Sequence, residues 1–119
     1  MIRIEVNKYL GKLKAYWNPQ MQTIAIPSHA HPATLAHELA HAKRKDGGRL
    51  SPEDTLDREI ATWRLAMITW QGRKPLTIIR RSLYTYAWNC IDRRKARINV
   101  ESFLAELDKT KICVKLELP

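Results

Sequence analysis

Thr34-Leu35-Ala36-His37-Glu38-Leu39-Ala40-His41-Ala42 is the stretch on which the reading of this chain turns. Pro32 suits a first helical position, and the Ala- and Leu-rich sequence from there to Lys45 predicts a helix that Asp46-Gly47-Gly48 ends. On such a helix His37 and His41 stand one turn apart and about 40° apart around the axis, so both imidazoles reach one ion, with Glu38 beside them at about 100°. Two histidines on a divalent metal and a glutamate that takes a proton from the metal-activated water are what a zinc hydrolase requires. In a chain of this composition the pattern arises by chance about once in a hundred cases. Leu35, Leu39 and Ala42 gather at about 140 to 200° from His37, which predicts that the helix buries that side and leaves the histidines free. Ala33, Ala36 and Ala40 allow close packing beside them.

A catalytic zinc takes a third protein ligand, and no histidine follows His41. The third ligand is therefore a carboxylate or comes from upstream. The longer pattern, with Gly and His three and six residues after the second histidine, fails because Arg44 and Gly47 occupy those places. The downstream carboxylates are Asp46, Glu53, Asp54, Asp57 and Glu59. Ser51-Pro52-Glu53-Asp54 opens a second helix, with a capping serine, proline in the first turn and two acids at the positive end of the dipole, and the apolar period runs on to Trp70. On its wheel Glu59 falls inside the apolar arc of Leu56, Ile60, Trp63, Ala66, Met67 and Trp70, while Asp57 points away at about 160°. A carboxylate facing a core needs a partner, and a cation supplies one; a buried Arg or Lys is the alternative. If the two helices fold back through Asp46 to Leu50, Glu59 sits about 10 Å from the turn, level with the space between the histidines. His37, His41 and Glu59 are the candidate ligands, Glu38 the candidate general base, and one zinc ion per chain the implied cofactor.

The remaining chain supplies a small sheet and more helix. Ile2, Ile4 and Val6 alternate with charged residues, Leu13 to Trp17 follows a Gly11 turn, and Thr23 to Ile26 follows Asn18-Pro19, which together predict a mostly antiparallel sheet. A third helix is expected from about Leu76 to about Arg94, and a short fourth one, capped by Asn99, contains Val100, Phe103, Leu104 and Leu107. Ile112, Val114, Leu116 and Leu118 then alternate with Cys113, Lys115 and Glu117, predicting a last strand that returns to the sheet. With 119 residues, 45% hydrophobic and 28% charged, the chain suits one domain. Apolar runs of six residues or fewer disfavour a membrane span, and Met1 to Lys14 lacks the apolar core of a secretory signal. Cys90 and Cys113 have no paired spacing and are expected as free, buried thiols of a cytoplasmic protein.

Charge points to a partner. Lys and Arg number 21 against 12 Asp and Glu, and eight bases with one acid fall between Arg73 and Arg97. A field that concentrated favours a polyanion or an acidic protein. On a third helix running to Arg94, Arg81, Tyr84, Trp88 and Lys95 share about 80 to 140° of the wheel, opposite Ile79, Leu83, Ala87 and Cys90, and Arg93 and Arg94 extend them. Interleaved basic and aromatic groups suit phosphates and bases, the alternative being a solvated basic face. His29 and His31, just before the metal helix, and Tyr84 or Tyr86 are candidates to orient substrate or stabilise an oxyanion; capping and packing are their alternatives.

The segment Thr34 to Ala42, followed by Arg58-Glu59-Ile60-Ala61-Thr62-Trp63-Arg64-Leu65-Ala66, resembles the ImmA/IrrE type of small metallopeptidase, a gluzincin-like group. Its members carry a Thr-Leu-Ala-His-Glu-Leu-Gly-His helix and then a helix with a Glu, a small residue and an aromatic. The likeness covers roughly Thr23 to Ala66; Ala40 replaces the usual glycine, and the family's Met-Pro segment after the second helix is absent. The resemblance implies a zincin fold, Glu59 completing the zinc site, endopeptidase activity and partnership with DNA-binding repressors. It also implies that Thr23 to Ile26 is a substrate-aligning edge strand to which a peptide adds. The expectation is thus one α+β, zincin-like domain over residues 1–119, a mostly antiparallel sheet packed on the active-site helix and the helix bearing the third ligand. Its expected activity is zinc-dependent hydrolysis of a regulatory or DNA-bound protein. Two other classes compete: a basic nucleic-acid-associated or antirepressor module with a structural metal, and a metal-dependent hydrolase of some non-peptide amide.

Overall fold

Strands β1 (Arg3–Val6), β2 (Tyr16–Asn18) and β3 (Thr23–Ile26) precede helices α1 (Pro32–Arg44), α2 (Pro52–Ile68), α3 (Leu76–Ala87) and α4 (Arg93–Glu117). This computed structural model describes residues 2–6 and 15–117, and side chains as far as residue 108. The chain is α+β, and among the described residues no helix is long and apolar enough to cross a membrane. It packs as two compact units that share α2: Met1–Arg49 with Thr62–Thr69, and Leu50–Ala61 with Trp70–Pro119.

In the first unit the sheet order is β1-β3-β2, with β1 parallel and β2 antiparallel to β3. The sheet is therefore mixed, where alternation had predicted a mostly antiparallel one. The turn explains the hairpin half: the Asn18 side chain accepts from the backbone N–H of Gln20 and Met21, and Gln22 takes φ 48°, returning β2 onto its neighbour. β1 then takes the other edge of β3 in parallel register, Arg3 opposite Thr23 and Val6 opposite Ile26. All four residues of β3 are buried, and Ile24 is fully so. The strand expected at an edge is thus central, with both sides already paired, and no peptide can add to it. The Gly11 turn and the first two residues of the expected second strand, Leu13 and Lys14, lie outside the described residues.

α1 packs on β2 and β3. Its first turn follows a tight turn in which the Ala30 N–H bonds to Pro27 O, and His31 is its N-cap, the imidazole Nδ1 accepting from the Ala33 N–H at 3.0 Å. Its end is set by Lys45 in the left-handed region at φ 57°, whose N–H returns to Ala42 while that of Asp46 returns to His41.

In the second unit Ser51 caps α2 as expected, its hydroxyl accepting from the Asp54 N–H. α3 and α4 pack on each other, burying Ile79 and Leu83 on one and Val100, Phe103, Leu104 and Leu107 on the other. The third helix stops at Ala87, earlier than its apolar period implied, because Asp92 starts a new one by accepting from the Lys95 N–H. Cys90, buried and free in this corner, points its thiol at the Pro52 carbonyl, and the Ile91 N–H bonds to Glu53. From Arg93 the helix runs to Glu117, so the predicted Asn99 cap is interior and the predicted last strand is helix. No Gly or Pro interrupts that stretch, so a helix once nucleated propagates, and the short alternation after Ile112 does not override it. The Cys113 side chain and Leu118 lie outside what is described. Trp70, expected in the core, lies past the end of α2, half-buried, with its indole N–H on the Arg73 carbonyl.

Candidate metal centre

The i, i+4 spacing on α1 puts Nε2 of His37 and Nε2 of His41 3.1 Å apart, with the rings edge to face at 4.6 Å. Sequence reasoning left this face open and buried the opposite one. Instead, His37, Glu38 and His41 are 6, 7 and 9% exposed, while on the opposite side Ala42 is buried as expected but Leu35 and Leu39 are only half-buried. The reason is the cover that α2 provides: Trp63 stacks on His37 with ring centroids 4.2 Å apart, and the Thr62 hydroxyl lies 3.4 Å from Nδ1 of His41.

Glu59 stands three and four residues before Thr62 and Trp63 on the same unbroken helix, so the residues that touch the histidines also set its height. It is 2% exposed, while Asp57 faces solvent, as the wheel required. Glu59, His37 and His41 each offer one ligand atom, and these atoms lie within 4.8 Å of one another. The set suits a divalent cation on two counts. Nitrogen ligands about 2.0 to 2.1 Å from a tetrahedral zinc lie roughly 3.3 Å apart, close to the separation of the two Nε2 atoms. One buried carboxylate supplies the negative charge that two neutral imidazoles lack.

The second ring nitrogen of His41 is also assigned. Nδ1 lies 2.9 Å from Oδ2 of Asp46, and donating there leaves the Nε2 lone pair toward His37 and Glu59. Asp46 is itself held: Thr62 Oγ1 donates to Oδ2 at 3.4 Å, Arg44 Nε donates at 3.1 Å, and the Trp17 indole N–H bonds to its backbone carbonyl. Sequence reasoning weighs Asp46 only as a ligand and misses it as the partner that orients the His41 ring. Its signal was positional: it follows the residue at which α1 turns back, five places after His41.

Comparison with protein-family models, with curated proteins and with solved structures returned no match.

His31 is the α1 cap, and His29 is exposed in the loop before it. Tyr84 gives its hydroxyl to Glu101 at 2.9 Å, and burial, then that hydrogen bond, pushes its pKa up. Arg81, Trp88, Arg93, Arg94 and Lys95 are all exposed. They do not share one helix, since Arg81 is on α3, Trp88 is its C-cap, and Arg93, Arg94 and Lys95 form the first turn of α4.

Proposed function

We propose that this protein is a zinc-dependent peptidase that hydrolyses a protein substrate, and the observation that supports it is the convergence of His37, His41 and Glu59 beside Glu38. The two imidazoles and the Glu59 carboxylate would hold the metal. A zinc ion held there would supply Lewis acidity to a water molecule and to the carbonyl of the scissile bond. Glu38 acts through its carboxylate, taking a proton from the attacking water and later passing it to the departing amine nitrogen. Asp46 keeps the His41 ring turned and its proton on Nδ1. The buried free thiol of Cys90 suits a reducing compartment, which agrees with a cytoplasmic protein. The resemblance to ImmA/IrrE metallopeptidases makes a regulatory or DNA-bound protein the substrate to try first.

The depth of the site favours a second reading, a binding module whose metal is structural, because all four residues are less than a tenth exposed. Turnover separates the two, since a general base is not a ligand. Glu38→Gln should keep the metal and abolish cleavage of a peptide library. Cleavage by that variant at near wild-type rate would rule out the hydrolytic role given to Glu38, and its absence from the zinc-loaded wild type would favour the structural metal.

A further inference from the structure

Residues at four-residue spacing on two packed helices form a ladder. Arg80, Tyr84 and Trp88 follow one another on α3 and its C-cap, and Arg93, Arg97 and Glu101 on α4. Arg80 makes two bonds to Glu101, at 3.0 and 3.2 Å, and the Tyr84 hydroxyl makes a third at 2.9 Å. At the other end the Arg93 guanidinium lies 5.9 Å from the Trp88 ring, which stands 6.4 Å from Tyr84. Arg97 completes the ladder, one helical turn from Arg93 and one from Glu101 on α4. Three cations face one acid, and that acid is already held by Arg80 and Tyr84. Among the described residues, neither Arg93 nor Arg97 forms an ion pair. Trp88, at 62% exposure, is a large aromatic surface with no need of water.

A partner must explain both the arginines and the indole. Carboxylates of an acidic protein would account for the first and leave the second in solvent. Duplex DNA or RNA offers phosphates but keeps its base faces stacked inside. An unpaired strand offers phosphates to guanidinium groups and open base faces to aromatic rings. We propose that the α3–α4 face carrying Tyr84, Trp88, Arg93 and Arg97 binds single-stranded nucleic acid without sequence preference, a base stacking on Trp88 and the arginines contacting phosphates. The proposal rests on residues of α3 and α4 that take no part in the candidate metal site, and it stands whether or not the chain is a peptidase.

The test is fluorescence anisotropy of labelled mixed-sequence 15-mers of DNA and RNA with the full chain, from low to physiological salt. Binding should weaken as salt rises, with about 0.7 of logarithmic slope for each phosphate contacted. Trp88→Ala should weaken it about tenfold at every salt concentration with the slope unchanged, and Trp88→Phe should recover most of the loss. Arg93→Gln with Arg97→Gln should lower the slope by about 1.4 and leave zinc content as in the wild type. If Trp88→Ala does not fold, as judged by its melting transition, the slope of the double arginine variant carries the test. No binding at low salt, an unchanged slope in that variant, wild-type affinity in a folded Trp88→Ala, or stronger competition by a duplex or by polyglutamate than by the single strand would each overturn the proposal.

Discussion

Nδ1 of His41 and Oδ2 of Asp46 are 2.9 Å apart across the turn that ends α1. The contact joins the metal motif to the loop after it and fixes which nitrogen of His41 is left for a metal. Such outer partners commonly carry tenfold to a hundredfold in metal affinity. Asp46→Ala is expected to weaken zinc binding within that range, and Thr62→Val, which loses only the 3.4 Å contacts, by less. Competition against a chromogenic chelator measures both. Wild-type affinity in Asp46→Ala would mean that α1 alone orients His41.

The proposed third ligand is distinguishable from its neighbour. Glu59→Gln preserves shape at a site 2% exposed but removes the charge and much of the donor strength. It should lose most of its metal on dialysis, while Asp57→Asn, two residues earlier and exposed, should match the wild type. Elemental analysis reads the difference, and equal metal in wild type and Glu59→Gln would remove Glu59 from the site.

Much of this site was legible because helical spacing is local. Two histidines four apart, a glutamate between them and a carboxylate in the apolar arc of the next helix need only the 3.6-residue period. Their burial was not legible, since it depends on Trp63 and Thr62 arriving from a separate helix. The sheet divides in the same way: the strand segments Arg3–Val6 and Thr23–Ile26 were visible, but the parallel pairing between them was not, because strand order is a long-range choice. Thr-Ile-Ala-Ile is apolar on both faces, which suits a covered central strand better than an edge. At the other end, an alternation of only seven residues is too short to outweigh a helix that nothing in the sequence stops.

The Arg80–Glu101 pair gives a pH dependence with a definite sign. The Arg80 hydrogen bond, against burial and aided by Tyr84, holds the Glu101 carboxyl below the usual carboxylate range. Its contribution to stability is therefore present above the unfolded value of about 4.3 and is lost as pH falls through the lowered folded one. At the alkaline end Tyr84, raised by burial and by Glu101, keeps its proton longer folded than unfolded, so stability falls as pH rises past about 10. Both partners of the pair are well exposed, at 49 and 42%, which limits the acid effect to less than about 1 kcal/mol. Urea midpoints of wild type and Glu101→Gln should differ at neutral pH and converge toward pH 3.

Two tryptophans should behave oppositely. Trp63 is 2% exposed and stacked on His37, so Trp63→Ala is expected to cost about 3 to 5 kcal/mol. Trp88, mostly exposed, should change stability by no more than about 0.5 kcal/mol when replaced by alanine. Denaturant melts of the two variants, side by side, check the placement of α2 over the histidines.

The most direct test is a crystal structure of the zinc-loaded chain with diffraction recorded on both sides of the zinc absorption edge. One anomalous peak per chain is predicted, about 2.0 to 2.1 Å from Nε2 of His37 and of His41, bonded to the Glu59 carboxylate, with a fourth position not filled by protein. No peak there, or a peak enclosed by four protein ligands, would contradict the account.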